Sequence, residues 1–256
     1  METLKNEIMN SQTILAGISH EMRTYMNAIV AFSFLMQESS FDNEEREEFS
    51  NHIFNSCEQL MQLFDSFFES VRIDAGNSMA KAKVCKVDNI LDELIPDFRR
   101  MIRKDSEKRI DLITDIRIDA SARALVDIKM IDRVIRSLFL NSLKNTTSGY
   151  IKIGLFSNGD QLTFFVTDTG RGYAKCRDFL NAEDINESFL KHDDIAGAIN
   201  ISMIKKIILI MKGTIRIERN HAEGAGIYFS VPAKIFKGYN TGMNEIIYST
   251  EVTCHC

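Results

Sequence analysis

Proline is scarce in this sequence. Only Pro96 and Pro232 occur among 256 residues, and residues 1–74 contain no proline and a single glycine, Gly17. These two residue types interrupt helices more than any others. Their scarcity leaves the N-terminal third of the chain able to form long, unbroken helices.

The sequence also lacks the long apolar runs of membrane proteins. No stretch of 18 apolar residues occurs, which argues against a transmembrane helix. The polar, acidic start "METLKNEIMNSQ" is unlike a signal peptide. A net charge of −5 gives no electrostatic support for binding nucleic acid. We therefore expect a globular chain with no membrane segment and no nucleic-acid partner.

Cysteine is infrequent and scattered, a pattern typical of a reducing compartment. We therefore expect a cytoplasmic location. The C-terminal "TCHC" has two thiols and one imidazole, one ligand short of a structural zinc site, and its spacing fits no familiar zinc pattern. The five cysteines are Cys57, Cys85, Cys176, Cys254 and Cys256.

Apolar residues recur with helical periodicity in the first 74 residues. They follow steps of three and four in two segments, which the polar stretch "QESSFDNEEREE" separates. This spacing predicts two long helices, each with one apolar seam. The first seam is Ile14, Ile18, Met22, Tyr25, Ile29, Phe32 and Met36, and the second is Phe49, Ile53, Cys57, Leu60, Phe64, Phe67 and Val71.

Two helices with matching seams favour a helical hairpin. Asp42 or Asn43 would cap the second helix, and acidic residues fill its first turn. A single hairpin has a narrow core, so we expect a homodimer whose two hairpins form a four-helix bundle. We interpret Cys57 on the second seam as a small buried hydrophobe.

The pattern changes after "IDAGNS". Helix-like segments near 87–104, 128–146 and 197–212 alternate with strand-like runs, and Pro96 is expected to kink the first of these helices. "YIKIGLF" and "QLTFFVTD" flank a turn signal at Asn158-Gly159, which predicts a hairpin. "GTIRIERN" and "GIYFSVPA" predict a second strand pair. Helices followed by antiparallel strands favour a two-layer α+β domain.

His20 occupies the polar face of the first predicted helix. With Ile14 at zero and about 100 degrees per residue, the seam lies between zero and about 80 degrees. His20 then falls at about 240 degrees and Thr24 at about 280 degrees. An outward imidazole is available for chemistry, although a solvated polar residue would point the same way.

Asp168 ends a predicted strand, and Gly170 and Gly172 follow it in "VTDTGRGY". The carboxylate could accept a hydrogen bond from an exocyclic amine such as that of adenine, and the glycines would allow close approach of the backbone. A plain strand-ending turn has the same composition. Upstream, Asn141 and Lys144 share a helix face, where an amide oxygen suits Mg²⁺ and a lysine suits phosphates. A polar helix end is the alternative.

Taken in order, these stretches resemble the kinase core of two-component sensor histidine kinases. "ISHEMRTYMNAI" resembles their phosphoacceptor box, "LFLNSLKNT" their Asn box, "DTGRG" their first Gly box and "NESFL" a remnant of their phenylalanine box. "MIKKIILIMKGTIRIE" and "EGAGIYFSVP" resemble the end of their ATP-binding domain. The resemblance spans roughly residues 10 to 235, with the motifs in family order.

The resemblance implies a fold and an activity. Residues 1–76 would be the dimerisation and phosphoacceptor hairpin, 77–236 an ATP-binding α+β sandwich of the GHKL (Bergerat) type, and 237–256 a C-terminal tail. The γ-phosphoryl group of Mg-ATP would pass to His20 and then to an aspartate of a response-regulator receiver domain. Glu21 would accept the imidazole proton, and Thr24 would orient water in a phosphatase reaction. The chain would be a cytoplasmic kinase core or the cytoplasmic part of a larger membrane-bound sensor.

The resemblance also assigns the nucleotide site. Asn141 would hold Mg²⁺, Lys144 would contact phosphates and Asp168 would bind adenine. Other nucleotide-binding positions would be Gly170 and Gly172 in the first Gly box, Phe189 in the lid, and Gly197 and Asn200 in the second Gly box.

Several residues depart from the family pattern. Tyr25 replaces a proline that kinks the helix, so a straighter helix is expected. Ser137 replaces the first asparagine of the Asn box, which removes a polar contact near the metal and phosphates. Ala198 and Asn200 stand at glycine positions of the second Gly box. This motivates an alternative, a dimeric scaffold or phosphotransfer module with a decayed nucleotide site. A different ATPase of the same fold class is disfavoured, since those lack a hairpin with His-Glu.

Overall fold

A computed structural model describes residues 2–38, 40–74, 80–87, 89–104, 108–119, 121–181, 195–220 and 224–236. Phe189 and the predicted tail 237–256 lie outside these ranges. Among the described helices, none combines the length and hydrophobicity that a membrane span needs.

The N-terminal part is a helical hairpin of α1 (Glu2–Leu35) and α2 (Asn43–Asp74). The first seam faces inward from Ile18 to Met36, and the second does so from Phe49 to Phe67. The ring of Phe32 stacks on that of His52 with centroids 4.4 Å apart. The hairpin prediction is confirmed. Val71 is the exception, since its side chain is 47% exposed.

A capping box starts α2. The backbone N–H of Glu45 donates to Asp42 Oδ1 at 2.8 Å, and the N–H of Asp42 donates to Glu45 Oε2 at 2.9 Å. This reciprocal pair satisfies two N–H groups that the helix itself cannot bond. Arg46 Nη2 also donates to the carbonyl of Glu38 at 2.8 Å, which ties the connection to α2. The cap is therefore Asp42, one of the two predicted candidates.

The second part contains two β-sheets and five helices among the described residues. A five-stranded sheet has the order β2-β4-β5-β7-β6, and a three-stranded sheet has the order β1-β3-β8. The strands are β1 (Lys83–Lys86), β2 (Arg109–Arg117), β3 (Arg123–Val126), β4 (Ser148–Asn158), β5 (Gln161–Asp168), β6 (Thr214–Asn220), β7 (Gly224–Pro232) and β8 (Lys234–Phe236). The helices are α3 (Asn89–Asp92), α4 (Leu94–Lys104), α5 (Ile128–Asn145), α6 (Tyr173–Asn181) and α7 (Ile195–Ile210).

Both predicted strand pairs occur. β4 pairs antiparallel with β5, and β6 pairs antiparallel with β7. The β4–β5 turn lies one residue later than predicted, because Asn158 still pairs with Gln161 and the two loop residues are Gly159 and Asp160. Gly159 has φ +57°, a left-handed conformation that suits glycine at the first position of a two-residue hairpin loop.

Pro96 is accompanied by an interruption of the predicted helix rather than by a bend in a continuous one, so the expected disturbance is present in a different form. The segment 87–104 divides at Glu93 into α3 and α4, and Pro96 is the third residue of α4. The first four N–H groups of a helix have no intrahelical partner, so proline there costs no hydrogen bond. At Tyr25, where a straighter helix was expected, α1 continues without interruption.

Helices pack on one face of the five-stranded sheet to form the core of the second part. α5 and α7 contact each other, and α5 lies against β5. Phe98 of α4 stacks on Phe139 of α5 with ring centroids 3.9 Å apart. Within the sheet, Phe164 and Phe229 stack at 5.1 Å. The predicted α+β sandwich is confirmed.

A small apolar cluster joins the hairpin to the second part. Ile18 of α1, Leu63 of α2 and Ile199 of α7 bury one another, and each is no more than 5% exposed. Met22, Tyr25 and Phe67 pack around them. We call these six residues the docking cluster. It places the N-terminal half of α7 directly on the hairpin.

A second apolar stripe on the hairpin faces solvent. Its side chains are each at least half exposed, although the predicted seams are turned inward. They recur every four residues on α1 and every seven on α2, so each set lies along one helix face. We call this surface the outer stripe, and its residues are Met26, Val30, Phe34, Phe54, Met61 and Phe68.

Candidate functional site

His20 lies exposed on α1, as the helical wheel predicts. Its neighbour Ile18 is buried in the docking cluster, and two residues correspond to about 200 degrees of helix rotation. Thr24, also exposed, donates its hydroxyl to the backbone carbonyl of His20 at 3.1 Å. This bond fixes the orientation of the Thr24 hydroxyl and leaves its oxygen able to accept a hydrogen bond from water. Glu21 is half-buried.

Asp168 lies buried at the end of β5, where its side chain is only 3% exposed. Its Oδ1 accepts hydrogen bonds from the backbone N–H groups of Gly170 at 3.0 Å and Ala225 at 3.4 Å. Its Oδ2 accepts one from the Ser142 hydroxyl at 2.8 Å. Burial raises the pKa of this carboxyl above its ordinary value, and the three hydrogen bonds oppose that rise.

One acceptor position of Asp168 remains open. A carboxylate accepts about four hydrogen bonds, about two on each oxygen. The described residues supply two donors to Oδ1 and one to Oδ2. The unfilled position is therefore on Oδ2, beside the Ser142 hydroxyl, and it suits an amine donor.

Sequence reasoning missed Ser142 and Asn220, which hold Asp168 in place. Ser142 anchors the carboxylate, and Asn220 Nδ2 donates to the backbone carbonyl of Asp168 at 2.6 Å. A buried serine next to Asn141 was the available signal for the first. Asn220 ends β6, and the sequence carries no signal for its contact across 52 residues.

Asn141 and Lys144 lie in the last two turns of α5. Asn141 Nδ2 donates to the sulfur of Cys176 at 3.1 Å. Its Oδ1 is 3.4 Å from Asn145 Nδ2, and its backbone carbonyl accepts from the same nitrogen at 2.7 Å. This arrangement fixes the Asn141 amide with its nitrogen towards α6. The amide oxygen, a hard ligand, makes only the one long contact among the residues that the structure describes. Lys144 is exposed.

Gly170 allows close packing of the first Gly box on the end of α5. A Cβ at this position would lie 2.3 Å from the carbonyl oxygen of Asn145 and 2.7 Å from Thr146 Oγ1. At Gly172 the nearest atom would be 3.4 Å away, an ordinary contact. Position 170 therefore has no room for a side chain, because the backbone carbonyl of Asn145 at the end of α5 packs against it.

Thr146 presents a buried hydroxyl at this junction. The residue is fully buried, and its Oγ1 has no hydrogen-bond partner among the described residues. Buried polar groups are satisfied in nearly all native structures, so this hydroxyl is a candidate to bond a bound ligand or a water. It lies close to Gly170 and hence to the carboxylate of Asp168.

The second Gly box is helical in this structure. α7 begins at Ile195, so Gly197 and Asn200 lie within the helix. Gly197 is half-buried, as is Asn200, whose Oδ1 accepts a hydrogen bond from the hydroxyl of Ser137 on α5. Both partners depart from the family pattern, and no local pattern predicts that they meet.

The nucleotide-side residues lie around the C-terminal half of α5. Bonds through Ser142, Cys176 and Ser137 connect this helix to the first Gly box, to α6 and to α7. His20, Glu21 and Thr24 lie on the hairpin, and within the described ranges no hydrogen bond or ion pair joins them to these residues. α1 reaches this region only through the docking cluster on α7, as far as the described residues show.

Family models match both parts of the chain. One, described as "His Kinase A (phospho-acceptor) domain", matches residues 10–76. Another, described as "Histidine kinase-, DNA gyrase B-, and HSP90-like ATPase", matches residues 126–235. Together the two matches span more than half of the chain.

Known proteins show the same two parts. The "Non-motile and phage-resistance protein" of Caulobacter vibrioides is 24% identical over 250 residues, covering 91% of this chain and 28% of that protein. The "Autoinducer 2 sensor kinase/phosphatase LuxQ" of Vibrio vulnificus is 23% identical over 232 residues, covering 86% of this chain and 26% of that protein. The chain thus spans about a quarter of the length of these curated relatives.

A solved structure shares the fold. The histidine kinase ThkA, in complex with response regulator protein TrrA, matches with a TM-score of 0.64 and 20% identity, covering 89% of this chain and 63% of that chain. The motifs, the hairpin with its exposed histidine and the ATPase-like sandwich agree with these matches. The chain belongs to the two-component sensor histidine kinases and represents their kinase core.

Proposed function

We propose that this chain is an ATP-dependent protein-histidine kinase that phosphorylates His20 and passes the phosphoryl group to an aspartate of a response-regulator receiver domain. One observation carries the proposal. A buried carboxylate with one open acceptor, that of Asp168, lies in the same chain as an outward histidine on a hairpin.

The residues of the second part fit an adenine nucleotide. The open position on Asp168 Oδ2 suits the exocyclic amine of adenine, and hydrogen bonds to charged acceptors are among the stronger ones. The orphaned hydroxyl of Thr146, close to Gly170, would gain a partner from the base or from a water that accompanies it.

Asn141 and Lys144 are proposed to hold the phosphate end. The Asn141 amide oxygen would ligate Mg²⁺, and the exposed ammonium of Lys144 would contact phosphate oxygens. Mg²⁺ bound with ATP supplies charge neutralisation of the phosphates. The chain's own contribution is to fix the Asn141 amide through Cys176 and Asn145.

His20 is proposed as the nucleophile. A neutral imidazole nitrogen forms a P–N bond to the γ-phosphorus while the P–O bond to ADP breaks, and Glu21 accepts the proton of the other ring nitrogen. Thr24, whose hydroxyl is oriented by the carbonyl of His20, would hold the water that hydrolyses the aspartyl phosphate of a receiver to aspartate and inorganic phosphate, a separate phosphatase reaction.

The outer stripe supports a homodimer. Six large apolar side chains, each at least half exposed, form a surface larger than scattered single hydrophobes would. A second copy of the hairpin would cover them and complete a four-helix bundle. The surface that dimerises is therefore the outer stripe, and the two seams are already satisfied within one hairpin. A cytoplasmic location agrees with the receiver-domain partner proposed here.

The test is labelling with ATP that carries a radioactive γ-phosphate. The wild-type chain with Mg²⁺ should acquire an acid-labile, alkali-stable label, and His20→Gln should acquire none. His52→Gln is the matched control, since His52 is also exposed on the hairpin. Its label should equal that of the wild type. A label that survives in His20→Gln, or no wild-type label at all, would overturn the proposal.

A further inference from the structure

Ser137 and Asn200 connect two helices of the nucleotide-side region. The hydroxyl of Ser137 on α5 donates to Oδ1 of Asn200 on α7. Ser137 is buried and Asn200 is half-buried. A polar bond with one end in the core is worth more than an exposed one, because losing it leaves a buried group unsatisfied.

The two residues form a reciprocal exchange relative to the family pattern. In the resembling kinases position 137 carries an asparagine and position 200 a glycine, whereas this chain has serine and asparagine. The pair of positions thus holds one amide and one small residue both in the resembling kinases and in this chain. Because the side chains of Ser137 and Asn200 are in hydrogen-bond contact, the amide of Asn200 on α7 lies next to the place that an asparagine at position 137 of α5 would fill.

We propose that Asn200 is a phosphate-binding residue whose side-chain amide replaces the one absent from position 137, and that Ser137 is the residue that positions it. The inference rests on the proposed binding of Mg-ATP at this site. Asn200, which departs from the glycine of the second Gly box, would then contribute to phosphate binding instead of obstructing it.

The helical conformation of α7 leaves the side chain of Asn200, and not its backbone, to bind phosphate. Asn200 is the sixth residue of α7, so its backbone N–H is committed to a helical bond and cannot cradle a phosphate. The Ser137 hydroxyl occupies Oδ1 and thereby fixes the amide orientation. Among the described residues no acceptor takes the two N–H groups of Nδ2, and such groups donate to phosphate oxygens.

The location agrees with a role at the phosphate end. Ser137 lies one helical turn before Asn141, and residues four apart share a face of α5. The Asn200 amide is therefore held beside the turn that carries the proposed magnesium ligand. Two amides, one from each helix, then border the same region.

An opposite interpretation makes an opposite prediction. If Asn200 only obstructs the space that glycine leaves for phosphate, then Asn200→Gly would bind nucleotide more tightly than the wild type. If Asn200 donates to phosphate, the same substitution removes the amide that α7 contributes, and binding weakens. The sign of one measurement therefore separates the two.

The experiment titrates a non-hydrolysable ATP analogue with Mg²⁺ into the full chain by calorimetry, with adenosine binding by NMR as the control for the base site. We expect Asn200→Gly to weaken the analogue about tenfold, the value of one net hydrogen bond of this kind. Adenosine binding should stay unchanged. The exchanged variant Ser137→Asn/Asn200→Gly should recover to within about threefold of the wild type, a coupling that only neighbouring groups show.

Ser137→Ala is the milder variant, because it keeps the amide and removes only its anchor. It should weaken the analogue about threefold and leave adenosine unaffected, in line with a weaker hydrogen bond from an unfixed amide. Unchanged or tighter analogue binding in Asn200→Gly, or no recovery in the exchanged variant, overturns the inference while the proposed kinase site stands. No analogue binding by the wild-type chain overturns both.

Discussion

The substitution Asp168→Asn tests the proposed base site with little change of shape. Two backbone N–H groups donate to Oδ1, so the oxygen of the new amide must stay at that position. The amide NH₂ then takes the place of Oδ2, and the Ser142 hydroxyl turns to accept from it. The open acceptor becomes a donor that faces the amine of adenine.

The expected loss follows from that reversal. A hydrogen bond to a charged group contributes about 1.5–3 kcal/mol, and an unpaired donor adds to the cost. A total of about 2–4 kcal/mol corresponds to roughly 30- to 1,000-fold weaker Mg-ADP binding. The thermal stability of Asp168→Asn should not fall as its affinity does. Burial raises the pKa of Asp168, so the folded chain holds the proton of this carboxyl more tightly than the unfolded chain.

That sign fixes the pH dependence of stability. An acid with a raised pKa in the folded state costs stability as pH rises from its unfolded value of 3.8 through the folded pKa. Asp168→Asn should therefore melt at an equal or higher temperature than the wild type near neutral pH, and the difference should shrink in acid. A variant that loses affinity only because it unfolds would show the reverse.

Calorimetric titration with Mg-ADP and thermal melting followed by circular dichroism measure the two quantities. Asp160→Asn is the control, because Asp160 lies exposed in the β4–β5 turn. Its affinity should equal that of the wild type. Mg-ADP affinity of Asp168→Asn within about threefold of the wild type would refute the base-site reasoning.

Three further outcomes are expected. Ser142→Ala removes a hydrogen bond that lowers the pKa of Asp168, so its loss of Mg-ADP affinity in a titration towards acid should begin at higher pH than in the wild type. Val30→Glu places a charge in the outer stripe and should shift the sedimentation of the chain from dimer to monomer. Ala31→Glu, on the neighbouring exposed face, should leave the dimer intact. If the two variants sediment alike, the outer stripe is not the dimer surface. Leu63→Ala should lower the free energy of unfolding by about 2 kcal/mol, the low end for a buried leucine. Hydrogen exchange of the α7 amides should become faster, because the docking cluster loses a member. Unchanged exchange would contradict the docking contact.

Local periodicity was sufficient for the hairpin. Seams with steps of three and four predict which faces turn inward, and the same wheel places His20 outside. The β4–β5 and β6–β7 pairs were predictable from turn residues and strand composition. The short strands β1, β3 and β8 were not, since three or four residues with partly exposed side chains carry no alternation that exceeds chance. The parallel pairing of β2 with β4 is likewise a matter of topology.

Residues of the candidate site were predictable where a motif surrounds them. Asp168 and Asn141 lie in recognisable stretches, but their roles remain predictions. The partners that orient them come from distant parts of the chain. Ser137 meets Asn200 across 63 residues, and no local pattern encodes such a contact. The exposed outer stripe was missed for a different reason: its spacing is helical, but the seams already accounted for the periodicity.

Through the docking cluster, α7 connects the hairpin with the nucleotide-side helix α5. Ile199 is buried against the hairpin, and its neighbour Asn200 is bonded to the nucleotide-side helix α5. A twist of the hairpin at Ile18 therefore displaces the same turn that carries Asn200. Linkage requires the reverse as well: whatever factor nucleotide applies to docking, docking applies to nucleotide affinity. Because Ile18 and His20 face opposite sides of α1, docking also keeps His20, the proposed phosphoacceptor, turned away from α7.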